Sequence, residues 1–190
     1  MTTVLRYTIV DSPVGPLRLA RDAAGLCALQ FLSGRRPADR LGDAVRDDAA
    51  LAEVTAQLEE YFAGSRRTFA VDFALRGTPF QRRVWEELCR IPYGETISYA
   101  ELARRIGRPT AVRAVGLANG ANPIAIVVPC HRVIGANGTL TGYGGGLPTK
   151  RYLLDLELAG SDRGQTGVRL YSDSTQTELR LGSDQGQTPV

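Results

Sequence analysis

The sequence predicts an α/β fold in two parts. A small β-sheet-plus-helix domain spans residues 1–75, and a helical domain of helix-turn-helix type spans residues 76–160. Three observations predict it. Residues 1–35 alternate short apolar runs with dense turn signals, as a set of strands does. Arg76-Gly77-Thr78-Pro79 marks a boundary, where Thr78 can N-cap a helix with Pro79 at its first position. Beyond it, two short helical patterns meet across a glycine-containing turn.

In chain order, residues 5–10, 17–20 and 26–32 read as strands, separated by Asp11-Ser12-Pro13-Val14-Gly15-Pro16 and by Asp22-Ala23-Ala24-Gly25. Cys27, Leu29 and Phe31 share one face at period 2, which places Cys27 in the core. Residues 34–43 form a polar loop. Residues 48–62 carry Leu51, Val54, Leu58, Tyr61 and Phe62 at helical spacing, and Gly64 stops that helix. Residues 68–75 are a possible further strand. No chemistry is evident in residues 1–75, which read as a supporting domain.

In the second part, Phe80, Val84, Trp85, Leu88 and Cys89 make one apolar helix face, so Cys89 also reads as core. Ser98-Tyr99-Ala100-Glu101 is a capping box that opens a helix through Ile106, stopped by Gly107. Thr110 can cap a second helix over residues 111–118. That helix is mostly small, with one Arg. Its backbone can approach a groove wall closely, but it offers few groups to read base edges. A pair of packed core helices would show the same pattern. Residues 149–158 read as a last helix, with Tyr152, Leu153 and Leu156 on one face and Glu157 near its end. Residues 161–190 are a polar, weakly ordered tail in which residues 168–171 and 178–181 could pair.

Composition narrows the function. The apolar share of 43% is ordinary for a soluble protein, and no run approaches a membrane span. The N-terminus has no basic-then-apolar signal, so a cytoplasmic location is expected. Three widely spaced cysteines and one histidine make neither a disulfide framework nor a zinc site. The net charge is +3, yet no Asp or Glu lies between Glu101 and Asp155. That interval holds Arg104, Arg105, Arg108, Arg113, Arg132, Lys150 and Arg151, a charge of +7, which leaves −4 on the rest of the chain. Such a block suits nucleic acid, or is simply a solvated basic face.

The chemistry concentrates in one stretch. Residues 124–128, Ile-Ala-Ile-Val-Val, read as a short strand buried on both faces. Pro129 ends it and delivers Cys130 and His131, the only histidine in 190 residues. A cysteine attacks as its thiolate, and a neighbouring imidazole is one way to make it. Adjacent residues on a strand face opposite sides, so a water can bridge the two. Val133-Ile134 and then Gly135-Ala136-Asn137-Gly138 give a hairpin signal. Thr141-Gly142-Tyr143-Gly144-Gly145-Gly146 follows as a flexible loop.

Pro129-Cys130-His131-Arg132-Val133 resembles the active-site signature of the O6-alkylguanine-DNA alkyltransferases. PYGETISYAELA (92–103), RAVGLANGANP (113–123), TGYGGG (141–146) and the helix with Glu157 agree in order and spacing, and SPVGPL resembles the N-terminal strand turn of that family. The resemblance implies an RNase H-like N-terminal domain and a winged helix-turn-helix-like alkyltransferase domain. It implies direct, stoichiometric transfer of an alkyl group from O6 of guanine, or less readily O4 of thymine, to Cys130 after base flipping. In that scheme His131 takes the thiol proton through a water, and Glu157 orients the imidazole. Tyr99 donates to the base, and Asn122 braces the site turn. Arg113 fills the gap left by the flipped nucleotide, with Tyr99, Ala111, Ala114 and Gly116 also against DNA. Cys130, Val133, Tyr143, Gly144 and Gly145 line the base pocket. The implied partner is double-stranded DNA carrying alkylated guanine or thymine, met by a monomer, with several copies able to lie along one duplex. No cofactor, metal or membrane enters the scheme. The N-terminal cysteine cluster of the bifunctional regulators is absent, and so is the Trp-for-Cys change of the non-catalytic relatives. Two other functions share parts of the pattern: a Cys-His-Glu hydrolase or acyl transferase, and a non-catalytic helix-turn-helix regulator.

Overall fold

The computed structural model describes residues 4–33 and 42–161. β1 (Arg6–Val10), β2 (Leu17–Asp22) and β3 (Gly25–Phe31) form an antiparallel meander, and β4 (Val45–Arg46) joins β1 in parallel, giving the order β3-β2-β1-β4. Ser12 closes the first turn: its hydroxyl donates to the Gly15 carbonyl, and its own carbonyl accepts the Gly15 N–H. Gly25 lies at φ +112°, and a Cβ there would sit 2.4 Å from the Asp72 carbonyl oxygen. Only glycine lets residues 72–74 pass so close to the start of β3. Leu26 bonds both Asp72 and Ala74 there, and the strand expected over residues 68–75 reduces to this bridge.

Cys27 departs from its expected place. Ala28 pairs with Ala20 and Leu26 with Arg21, so Cys27 is the extra residue of a bulge. Leu26, Leu29 and Phe31 enter the core, while Cys27 is half-buried with its thiol on the Ala20 carbonyl. A 3-10 turn (Ala49–Leu51) buries Leu51 and leads into α1 (Ala52–Phe62), which turns Val54, Leu58 and Tyr61 inward before Gly64, at φ +75°, ends it.

The second part opens as its caps dictate. Thr78 and Gln81 complete a reciprocal capping box at the head of α2 (Pro79–Leu88), which buries Val84, Trp85 and Leu88. Cys89 is exposed: it falls at the C-cap, past the last turn of the buried face. β5 (Ile97–Ser98) precedes α3 (Tyr99–Arg105). Ser98 accepts the Glu101 N–H, but the Glu101 carboxylate turns out to Arg104 and Arg105, so only half of that capping box forms. α4 is Val112–Gly120, with Ala111 rather than Thr110 at the N-cap and no side-chain cap bond. The Trp85 indole N–H donates to the Ala118 carbonyl at 2.8 Å and locks α2 to the end of α4.

β6 (Val133–Ile134) pairs in parallel with β5. The turn after it closes through Gly138 N–H to Gly135 O, but no return strand follows, so the expected hairpin is absent. α5 (Leu147–Gly160) is longer than expected, and its inward face is Lys150, Leu153, Leu154 and Glu157, with Tyr152 exposed. One apolar cluster runs from Leu17 and Tyr61 through Trp85 and Val128 to Leu153, so the two parts share a core. Most of the expected polar loop, and the tail beyond Ser161 with its possible hairpin, lie outside the described residues. Among the described residues no helix is long and apolar enough to cross a membrane.

Candidate active site

The apolar run before the cysteine is a buried turn, not the expected strand. Leu29 bonds Pro123 and Ala125 in a single bridge to β3. The chain then bends back, with Val128 N–H on the Ile124 carbonyl and Ile126 at φ 69°. A β-branched residue in the left-handed region is strained. The Asn122 side chain holds it there, donating through Nδ2 to Val128 O at 2.8 Å and accepting Ile124 N–H at 3.0 Å. Continuous apolar character reports burial on all sides, which a tight turn inside the core satisfies as well as a strand does.

Cys130, His131 and Arg132 form a 3-10 turn held at its start by Asn119, whose Nδ2 donates to the Cys130 carbonyl at 3.3 Å. The Cys130 side chain faces a cleft of about 590 Å³, walled also by Asn119, Asn122, Phe31, Tyr143 and Gly144. Burial pushes the Cys130 thiol up, opposed by the Asn122 side chain, the Lys150 charge and the Tyr143 hydroxyl. Tyr143 packs against Phe31 and His131, with ring centroids 5.5 and 6.5 Å apart. Val133 and Gly145, expected on the pocket wall, do not line this cleft: Val133 is fully buried, and Gly145 sits against the Phe31 ring.

Behind the cysteine, His131 Nε2 lies 2.8 Å from Glu157 Oε1, and both side chains are fully buried. His131 Nδ1 has no partner among the described residues. Burial pushes the imidazole below its ordinary value, against the pull of Glu157. Burial alone would raise Glu157, but His131 and the Arg132 fork hold it well below the usual carboxylate range. Arg132 donates through Nε to Oε2 at 2.8 Å and through Nη2 to Oε1 at 2.9 Å, and its third nitrogen reaches the Ile91 carbonyl at 2.7 Å. Gly94 N–H adds a bond to Oε2 at 3.2 Å, and Tyr61 O–H one to Oε1 at 2.7 Å. Lys150, also fully buried, donates to Val133 O at 2.6 Å and to Thr141 O at 3.1 Å. Burial lowers it to about 8.

Tyr99 is half-buried beside Gly116 of α4, and burial raises its phenol. Arg113 and Ala114 are exposed on α4, with Ala111 at its N-cap. The acid-free interval does not form one basic face. Arg104 and Arg105 pair with Glu101, and Arg132 and Lys150 are inside the protein.

Residues 79–159 match the model of the 6-O-methylguanine DNA methyltransferase DNA-binding domain, and residues 5–75 match that of the ribonuclease-like domain of the same proteins. The chain belongs to the 6-O-methylguanine DNA methyltransferase family. The methylated-DNA–protein-cysteine methyltransferase of Methanosarcina acetivorans is 52% identical over 151 residues, 80% of this chain and 97% of that one. Its counterpart from Mycobacterium tuberculosis is 54% identical over 154 residues, 81% and 93% of the two chains. The crystal structure of M. tuberculosis O6-methylguanine methyltransferase superposes with a TM-score of 0.78 at 52% identity, covering 83% of this chain and 95% of that one. A structure of M. tuberculosis OGT in complex with DNA gives 0.76 at the same identity, covering 82% and 94%. As a member of this methyltransferase family the chain has the ribonuclease-like and DNA-binding halves that its fold class implies.

Four residues hydrogen-bonded into this candidate site escaped the sequence reading: Tyr61, Arg132, Lys150 and Gly94. Arg132 adjoins the Cys-His pair and could have been drawn in by its position. Tyr61 gave no such signal, since an aromatic residue at helical spacing reads as core.

Proposed function

We infer that this chain repairs alkylated DNA by moving the alkyl group from O6 of guanine onto Cys130. The observation that carries this reading is a buried cysteine on the wall of a cleft, backed by an imidazole that is itself held by a carboxylate. His131 is neutral near pH 7 because burial disfavours its charged form. The thiol proton passes through a water to Nδ1, the nitrogen that Glu157 leaves available. Glu157 stabilises the imidazolium so formed. The thiolate attacks the alkyl carbon, an S–C bond forms, and the C–O6 bond breaks. Tyr99 donates a hydrogen bond to the departing guanine as its oxygen gains charge, and the proton the guanine takes up is the one held by the imidazolium, returned through water. The product is a thioether, which neither water nor a second nucleophile in the site reverses, so each molecule reacts once.

The alkyl carbon cannot be reached inside a stacked duplex, so the base leaves the stack. Arg113, exposed on α4, occupies the gap, and Ala111, Ala114 and Gly116 let the helix backbone come close. Asn122 holds the turn that presents Cys130. Tyr143 and Gly144 receive the base. The partner is duplex DNA carrying alkylated guanine or, less readily, thymine. The protein acts as a monomer in the cytoplasm, several copies can share a duplex, and the ribonuclease-like and DNA-binding halves divide near residue 76.

Excess duplex carrying O6-methylguanine tests this. Intact mass should show one added methyl group on Cys130, and transfer should plateau at one group per protein. Continued turnover would instead identify a hydrolase or acyl transferase. Cys130→Ser should bind DNA and transfer nothing, because a hydroxyl beside one imidazole is a far weaker nucleophile than a thiolate.

A further inference from the structure

We propose that Tyr61, in the ribonuclease-like half of the chain, is a positioning residue for alkyl transfer: its hydroxyl holds Glu157 Oε1 and limits how strongly that oxygen can hold His131. The proposal rests on the relay of Cys130, His131 and Glu157 put forward above. Its observation is an uneven distribution of donors. Oε2 accepts from Arg132 Nε and Gly94 N–H. Oε1 accepts from Arg132 Nη2, from His131 Nε2 and, at 2.7 Å, from Tyr61 O–H. The phenol and the imidazole therefore share one oxygen, and the phenol arrives from 96 residues away in sequence.

Nothing about packing requires that hydroxyl. The Tyr61 ring touches Phe62 and Phe69 at 5.5 Å and Tyr93 at 6.2 Å, contacts a phenylalanine would keep. Burial and the Glu157 charge both raise the Tyr61 phenol well above its ordinary value, so it is a donor at every working pH. A donor on a carboxylate oxygen takes up part of its negative charge. That weakens the pull of Glu157 on an imidazolium. His131 must be neutral to accept the thiol proton yet supported once it has done so. An unshared carboxylate would favour the charged form before reaction. The ionisable groups facing this pair are Arg132 beside them, Lys150 and Tyr143 toward the cleft, Cys130 ahead, and Tyr93 behind with Arg67 over its ring. Arg132 and Lys150 disfavour imidazolium, and Tyr61 acts in the same direction from the other half of the chain.

The single histidine makes the test direct, since nitrogen NMR of labelled histidine reports His131 alone. Tyr61→Phe should raise the His131 titration midpoint by roughly half a unit, because one hydrogen bond to a charged group is worth about one unit or more and only part of it passes from Glu157 to the imidazole. The acid limb of the single-turnover rate against methylated duplex should move up by the same amount. Glu157→Gln should move the midpoint down. If Tyr61→Phe leaves midpoint and acid limb in place, or lowers them, while Glu157→Gln shifts the midpoint, Tyr61 only packs and the relay stands. If Glu157→Gln does not shift the midpoint either, the relay itself is wrong, and this inference falls with it.

Discussion

Asn122 and Val128 are joined by a 2.8 Å hydrogen bond from side-chain amide to carbonyl oxygen, and it spans the turn in which Ile126 adopts a positive φ. Removing the amide leaves the Ile124 N–H unpaired in an apolar surrounding and takes from Val128 O one of its two bonds, the other being from the Cys130 N–H. Asn122→Ala should destabilise the protein by about 1–3 kcal/mol and slow transfer, because Cys130 follows directly on this turn. Thermal melting and a single-turnover assay check both. Full stability in the variant would mean that the core alone holds the turn.

Glu157 links stability to acid. Its carboxyl titrates below 4.5 in the fold and near 4.5 unfolded, so the unfolded chain takes up its proton first. The stability contributed by Arg132 and His131 is then fully present above about 4.5 and is lost progressively as pH falls from there through the lower folded-state value. Glu157→Gln should melt earlier near neutrality, since breaking a buried pair costs about 3–5 kcal/mol. It should also lose less than the parent on acidification below about 4.5. Melting curves at neutral and acid pH decide this, and parallel losses in the two proteins would contradict it.

Arg113→Ala should impair repair of a lesion in duplex far more than reaction with the free alkylated base. Free base needs no unstacking, so a residue that fills the vacated stack has nothing to do there. In duplex it offsets part of an extrusion cost of a few kcal/mol, and each ~1.4 kcal/mol is about tenfold in the flipped population. Arg113→Lys keeps the charge without the planar group. Full recovery with Lys would make the role electrostatic, and equal losses on both substrates would place Arg113 in the site itself.

Much of the fold was legible because local chemistry and tertiary structure agree. Thr78 and Ser98 cap helices as their spacing implies, and Gly64 and Gly107 end helices at positive φ. The failures share a cause. Residues 124–128 have the composition of a buried strand, but composition reports burial and not direction of travel. The period-2 face through Cys27 broke at a bulge that only the pairing with β2 reveals. The relay of Cys130, His131 and Glu157 rested on a family signature, and the geometry brings His131 and Glu157 into contact. Tyr61 and Lys150 were invisible because their partners are a distant carboxylate and two backbone carbonyls, which no local pattern encodes.

The fate of the basic interval governs how the protein tolerates ionic strength. Arg104 and Arg105 are satisfied by Glu101, and Arg132 and Lys150 are turned inward, while Arg108 and Arg113 are exposed and make no ion pair with a described residue. Each phosphate neutralised on duplex DNA contributes about 0.9 to the slope of log affinity against log salt, through release of condensed counterions. A stretch that looks strongly cationic on paper should therefore displace few counterions, and binding to undamaged duplex should fall only gently as salt rises, which affinity measured against ionic strength checks.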